Sequence, residues 1–333
     1  MDMVNAPARV ERRAHWLQAI GWGDAMVHAL PGDASFRRYF RLSHTRGPAL
    51  VMDAPPAVEP RTPTFVAISD RLVAAGFSAP KVLAADLEEG FLLLEDLGDI
   101  TFTRALAAGA DEARLYRAAI ALLIHLHRQP AERFIADLQP YDAATYQAEL
   151  AFFTDWYVPA VTGAAVDGAR LFDAWAAAAA VLDRAPTHLV LRDYHVDNLM
   201  VLDRAEVAGT GLLDFQDALA GPGLYDLVSL IDDARRDVPP VLGAALLETY
   251  REAFGFEPAW YGAAVATMSV QRLLKIIGIF TRLDRRDGKP HYRAHLPRLW
   301  RLLEQRLHHP SQAAVRAEVD RLVPEAARER GAP

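Results

Sequence analysis

Leu191-Arg192-Asp193-Tyr194-His195-Val196-Asp197-Asn198, followed after an apolar run and a turn by Leu213-Asp214-Phe215-Gln216-Asp217, decides how the chain is read. Four residues separate an aspartate from an asparagine, and a second aspartate ends the next apolar run. Residues 187–191, 199–202 and 211–213 have the short apolar form of buried strands, so both polar clusters are expected at the mouths of neighbouring strands. A carboxylate in the first cluster suits acceptance of a hydroxyl proton, and an amide with a second carboxylate supplies hard oxygen ligands for magnesium. Transfer of a phosphoryl group needs both, because the attacking hydroxyl must be held in line while the growing oxygen charge is neutralised. Asp193 is therefore the candidate base, and Asn198 and Asp214 the candidate metal ligands.

Upstream, residues 10–20 carry apolar positions at helical spacing and end at Gly21, which predicts a short packing helix. Pro31 to Ser35 reads as a turn, and 36–42 and 49–53 as strands, the latter cut off by Pro55-Pro56. A turn of small residues between strands is either a simple hairpin or a backbone cradle for phosphates, with Ser35 the candidate contact. Residues 64–75 predict a helix, and 79–83 and 91–94 two further strands around the acidic turn 86–90. This order describes a small antiparallel sheet with one helix. The run Glu95-Asp96-Leu97-Gly98-Asp99 then reads as the exit from the sheet, where the backbone at Glu95 and Leu97 could meet adenine.

From Thr101 the pattern turns helical: 112–128, the aromatic-rich 141–157, 171–182, 224–234, 238–254, 259–283, 292–308 and 311–328. His125 and His127, two apart, do not share a helix face and predict no metal site. In the aromatic helix, core packing competes with a wall for an acceptor molecule, Glu149 or Asp155 binding its hydroxyls. The fold class expected is α+β: two lobes, an N-terminal nucleotide-binding lobe over 1–98 and a mostly helical catalytic lobe over 99–333, with the cleft between them.

Composition limits the alternatives. The chain has 333 residues, enough for two lobes, and no cysteine, which excludes a disulfide framework or thiolate zinc site. A net charge of −7 argues against broad binding to nucleic acid or anionic membranes. The basic clusters 9–13 and 282–289, interrupted by acids, read as solvated helix ends. The N-terminus lacks a signal-peptide pattern, and the alanine-rich run 174–182 is far shorter than the roughly 20 residues of a membrane span. A soluble cytoplasmic protein without an obligate protein partner is expected.

The pair Asp193–Asn198 with Leu213-Asp214-Phe215 resembles the Brenner-type motifs of the aminoglycoside phosphotransferase and choline kinase superfamily. The resemblance runs from Asp33 to about Leu303. It implies a protein-kinase-like two-lobed fold, with ATP and magnesium used to phosphorylate a small-molecule hydroxyl. Five strings (33–41, 52–56, 94–99, 192–198 and 271–280) resemble more specifically the anomeric N-acetylmuramate/N-acetylglucosamine kinases of Gram-negative bacteria. That resemblance implies phosphorylation of the sugar C1 hydroxyl in peptidoglycan recycling.

Two departures accompany the likeness. Leu191 stands where the superfamily has histidine, and Met52 stands where it has the phosphate-binding lysine. Helix 64–75 also lacks the glutamate that pairs with such a lysine, so a substituted arrangement is expected, with Arg38 and Arg41 the candidate cations. His195, Gln216, Asp217, Arg272 and Lys275 are candidate acceptor contacts, the last two facing the lactyl carboxylate of N-acetylmuramate. An aminoglycoside, choline or homoserine kinase is the alternative enzyme. A non-catalytic pseudokinase is the alternative of another class.

Overall fold

The computed structural model describes residues 7–31 and 37–328. Ser35 and most of the 31–35 turn, and the tail beyond Arg328, lie outside the described residues. Alternating side chains build five antiparallel strands, β1 (Met26–Ala29), β2 (Arg38–Ser43), β3 (Ala49–Asp53), β4 (Val82–Asp86) and β5 (Phe91–Glu95). They form one sheet in the order β1-β2-β3-β5-β4. The register pairs Tyr39 with Met52 and Arg41 with Leu50, while Arg38 pairs with Asp53 and Phe40 with Val51. Since side chains alternate along a strand, Tyr39, Arg41, Leu50 and Met52 share one face and Arg38, Phe40, Val51 and Asp53 the other.

On the second face Phe40, Leu42, Ala49, Val51 and Leu93 pack against Leu17 and Trp22, at and beyond the end of helix Pro7–Ala19. That helix does more than pack. Arg9 and Arg13 are 4% and 7% exposed, against an expectation of solvated ends. Arg9 donates to Asp53 Oδ1 at 2.8 Å and Arg13 to Asp53 Oδ2 at 2.9 Å. Asp53 is fully buried, so its charge requires these partners. The guanidiniums also lie over Phe91 and Phe40, at 4.0 and 3.7 Å from the ring centres.

Edge strand β1 carries no apolar alternation and is exposed throughout, which is why its sequence gives no strand signal. Helix Thr62–Ala74 starts with Pro63 in its first turn, where a missing N–H costs nothing. Its Phe65 stacks on Phe215 with ring centres 4.9 Å apart.

Four short strands come later: β6 (Thr187–Val190), β7 (Leu199–Val201), β8 (Thr210–Leu212) and β9 (Leu219–Pro222). β6 pairs with β9 and β7 with β8. The strands preceding the two polar clusters are therefore not neighbours in one sheet; the loop after β6 carries the chain from one ribbon to the other. β9 was hidden by its glycine and proline, which read as a turn.

By its packing the chain forms two units: Met1–Ala118 with Val196–Asp217, and Ala119–His195 with Ala218–Pro333. The division differs from the expected boundary at 98. Thr101 bridges Met200, and Leu212 N–H donates to the Ser78 carbonyl at 2.8 Å, so β7 and β8 belong with the sheet.

The second unit is built around helix Pro258–Arg285, whose most apolar 18-residue stretch is 89% buried. Gly278 allows the close approach there: a Cβ would sit 2.2 Å from the Phe152 backbone. At that point helix Ala143–Phe152 opens into a π-turn, Phe153–Tyr157, so residues 141–157 are not one regular helix. The aromatic side chains here are core, with Trp300 Nε1 donating to the Tyr157 hydroxyl at 2.7 Å. His127 stacks on His188 with centres 4.5 Å apart. Burial lowers both, His188 to about 4, so the pair packs as neutral rings.

Candidate active site

In the helical unit, the site begins where β6 ends. Asp226, in the first turn of helix Leu224–Ile231, is completely buried and accepts the N–H groups of Leu191 at 2.7 Å and Arg192 at 2.8 Å. These bonds hold Arg192 in the left-handed region, φ 70°, a conformation that costs a long side chain about 1–3 kcal/mol. Burial pushes the Asp226 carboxyl up to about 7, against the two N–H groups and the Arg272 charge that pull it down. Asp193 follows in a tight turn: its N–H donates to the Leu191 carbonyl at 2.9 Å and its carbonyl accepts from His195 N–H at 3.1 Å. The buried Tyr194 anchors the turn by donating to the Ala119 carbonyl at 2.7 Å.

Glu149 closes this arrangement from the side. Its Oε1 receives Lys275 Nζ at 2.7 Å and the Arg192 guanidinium; its Oε2 receives Gln271 Nε2 at 2.7 Å and the Tyr141 hydroxyl. Burial alone would raise this carboxyl, but the charges of Lys275 and Arg192 outweigh it and hold Glu149 below the ordinary range. Glu149 and Lys275, expected to contact an acceptor, are thus engaged with each other and with Arg192. Arg272 is 3% exposed and donates to the Asp232 carbonyl at 3.1 Å. His195 is 5% exposed and lies 3.4 Å from an Arg235 nitrogen. All four of these substrate candidates are buried, Arg272 and Lys275 because the core helix Pro258–Arg285 that carries them is enclosed along this stretch.

In the sheet unit, the ribbon β7–β8 brings Asn198 and Asp214 to the same end. Leu213 N–H donates to the Asn198 carbonyl at 3.0 Å, and Asp214 follows in the left-handed region, φ 62°. Arg37 enters here, and no sequence signal pointed to it. Its Nη2 donates to Asp214 Oδ1 at 2.6 Å and its Nη1 to Gln216 Oε1 at 2.7 Å. Its Nε lies 3.7 Å from the buried Glu59, which also pairs with Arg61 at 3.2 Å, and Arg61 pairs with Asp217. Gln216 and Asp217, expected against the acceptor, therefore belong to a chain of charges across the sheet unit. Three carboxylates face two guanidiniums in it, leaving one negative charge in surplus.

That donor set fits magnesium. Asn198 and Asp214 offer hard oxygens, and a guanidinium already stands in for a cation on Asp214. Among the described residues no cluster of three or more His, Asp or Glu is arranged as metal ligands, so most of the ion's coordination would fall to phosphate and water. Of the expected phosphate cations, Arg38 lies by register on the Asp53 face, and Arg41 is tied to Asp96 at 2.6 Å and Asp99 at 2.7 Å. Glu95 Oε1 accepts from Arg204 at 2.6 Å, and Leu97 is nearly buried where the chain leaves β5.

The helical unit also has a cavity of about 820 Å³ lined by Tyr141, Tyr146, Phe172 and Trp175 among others. None of the candidate site residues lines it, so its size does not make it the acceptor site.

The chain matches the model of the phosphotransferase enzyme family over residues 27–265. It is 35% identical to an N-acetylmuramate/N-acetylglucosamine kinase of Caulobacter vibrioides, across 97% of this chain and 99% of that one. It is 40% identical to the protein of the same name from Pseudomonas aeruginosa, across 86% of each. Among solved structures it superposes on an ADP-bound aminoglycoside phosphotransferase with a TM-score of 0.60 and 15% identity, covering 92% of this chain and 98% of that one. At that identity the likeness speaks for the protein-kinase-like fold.

Proposed function

This chain belongs to the phosphotransferase enzyme family, and from that premise we propose that it transfers the γ-phosphoryl group of ATP to the C1 hydroxyl of N-acetylmuramate or N-acetylglucosamine. The observation that carries the acceptor is a set of four curated relatives, 34–40% identical over most of the chain, which all bear that name. An ADP-bound structural neighbour supports the nucleotide.

Asp193 accepts the proton of the attacking hydroxyl, from a loop whose backbone Asp226 holds and whose Arg192 is braced by Glu149. Asn198 and Asp214 would hold magnesium, which would supply positive charge beside the phosphate oxygens. Glu95 and Leu97, where β5 ends, offer their backbone to adenine. Leu191 in place of histidine fits this picture, since its N–H is bound by Asp226 and its side chain is 3% exposed.

The test is a coupled ADP-release assay with magnesium and ATP, offering N-acetylmuramate, N-acetylglucosamine, glucose, kanamycin and choline in parallel. Turnover on the two N-acetylated sugars is expected, reduced about 10²–10⁴-fold or more in Asp193→Asn. Turnover on kanamycin or choline without turnover on either amino sugar overturns the acceptor.

A further inference from the structure

We infer that Arg37 is the nucleotide's phosphate-binding cation, and that its bond to Asp214 is the resting half of an exchange made when magnesium and nucleotide arrive. The inference rests on the ATP-dependent reading above. A triphosphate carries several negative charges and needs a fixed cation close to the metal that it shares with the protein. On the sheet face that holds Tyr39 and Met52, the described side chains of β2, β3 and β5 are Tyr39, Arg41, Leu50, Met52, Leu92 and Leu94. Arg41 is the one cation among them, and both Asp96 and Asp99 hold it. The sheet itself therefore supplies no cation for phosphate at the Met52 position.

Arg37 comes to the place by another route, from the residue just before β2. Its guanidinium lies against the candidate metal carboxylate at 2.6 Å, with its side chain only 10% exposed. The Tyr39 hydroxyl bonds it on the same face, and Glu59 stands 3.7 Å from its Nε. Glu59 and Arg37 thus pair the segment before helix Thr62–Ala74 with the segment before β2. Glu59 is buried and stays beside Arg37 whatever happens at Asp214, which is partly exposed. A divalent ion on Asp214 would compete with the guanidinium for the carboxylate's charge and loosen the Oδ1 bond. Once Asp214 serves the ion, Arg37 keeps Glu59 and Tyr39 at its base, and the two nitrogens it had turned to Asp214 and Gln216 face the phosphates. The fork geometry of a guanidinium suits such bidentate contact.

Titration calorimetry of the full chain with MgADP and with adenosine tests the idea, because neither ligand requires turnover. Arg37→Ala is expected to bind MgADP at least tenfold more weakly while adenosine affinity stays the same, and Arg37→Lys to recover most of the loss. Restoring a cation from the strand, in Arg37→Ala/Met52→Lys, is also expected to recover part of it. Circular dichroism of each variant separates loss of the phosphate contact from loss of the fold. Equal MgADP affinity in wild type and a folded Arg37→Ala overturns this inference alone. Tighter MgADP binding by the variant also overturns it, because Arg37 would then only plug the metal position. Failure of wild type to bind MgADP at all removes the ATP reading and this inference together.

Discussion

The loop around Asp193 and the turn around Asp214 are held in opposite ways. In the helical unit every anchor of the Asp193 loop is buried and has no evident competitor: the Asp226 oxygens on two backbone N–H groups, the Tyr194 hydroxyl on a carbonyl, and Glu149 on Arg192. In the sheet unit the Asp214 side chain is 36% exposed, and its partner is a guanidinium that an incoming cation can displace. A general base gains from being fixed before substrate arrives, since misplacement by an ångström is costly in rate. A metal ligand, the role proposed for Asp214, must let its ion come and go with every turnover. Under the proposed roles the contrast would put rigidity on the proton-transfer side and exchange on the phosphate side.

The sharpest way to break that contrast is at Glu149. Glu149→Gln leaves the buried Lys275 and Arg192 without their shared counter-charge, a change expected to cost about 3–5 kcal/mol of stability. The measurement is the denaturant midpoint, which should fall far more than for any variant in the Arg37–Arg61 chain. A midpoint unchanged within error would mean that the helical half is not braced through Glu149.

A smaller effect is expected at Asp226, read through pH. Its folded pKa of about 7 lies above an unfolded value near 3.9, so folding favours the protonated carboxyl. The stability it contributes is complete below about pH 4 and is lost as pH rises through about 7. Asp226→Asn cannot titrate, and thermal melts across that range should show a flatter pH dependence than wild type. An equally steep profile would place the titrating group elsewhere. The variant should also lose turnover number with little change in nucleotide affinity, because one of the two loop N–H groups is left facing an amide NH₂.

The smallest effect is expected at Arg41. Its ion pairs with Asp96 and Asp99 are partly solvated, and Arg41→Ala should cost no more than about 1 kcal/mol. MgADP affinity should be unchanged by calorimetry. A loss as large as that predicted for Arg37→Ala would return the phosphate role to the strand and erase the distinction between the two arginines.

What the sequence revealed and what it hid follow from range. The placement of Asp193, Asn198 and Asp214 at the ends of short strands was legible because each adjoins an apolar run and the spacing is local. Helices such as Glu112–Arg128 were legible for the same reason, their apolar stripe repeating every turn. Arg37 was not, because the carboxylate that gives it meaning lies 177 positions away. Arg9 and Arg13 looked like solvent-facing charges on an amphipathic helix until Asp53, buried at the end of β3, supplied the reason for their burial. For Glu149, expected on an acceptor wall, and Lys275, expected against a lactyl carboxylate, only the fold shows that they satisfy one another. Local pattern nominates candidate groups, whereas the pairing of distant charges is visible only in the fold.

The return of Val196–Asp217 to the sheet unit bears on how the protein is made. A ribosome releases the chain from its N-terminus, so the five strands of the sheet emerge early but the unit they belong to cannot be completed at that stage. The β7–β8 ribbon, with Asn198 and Asp214 at its end, appears only after the first stretch of the helical unit has been synthesised. A fragment ending near residue 98 would hold the sheet and lack that ribbon, with Ser78 deprived of the backbone it pairs with. The sheet unit of this enzyme is therefore not encoded as one continuous piece of gene.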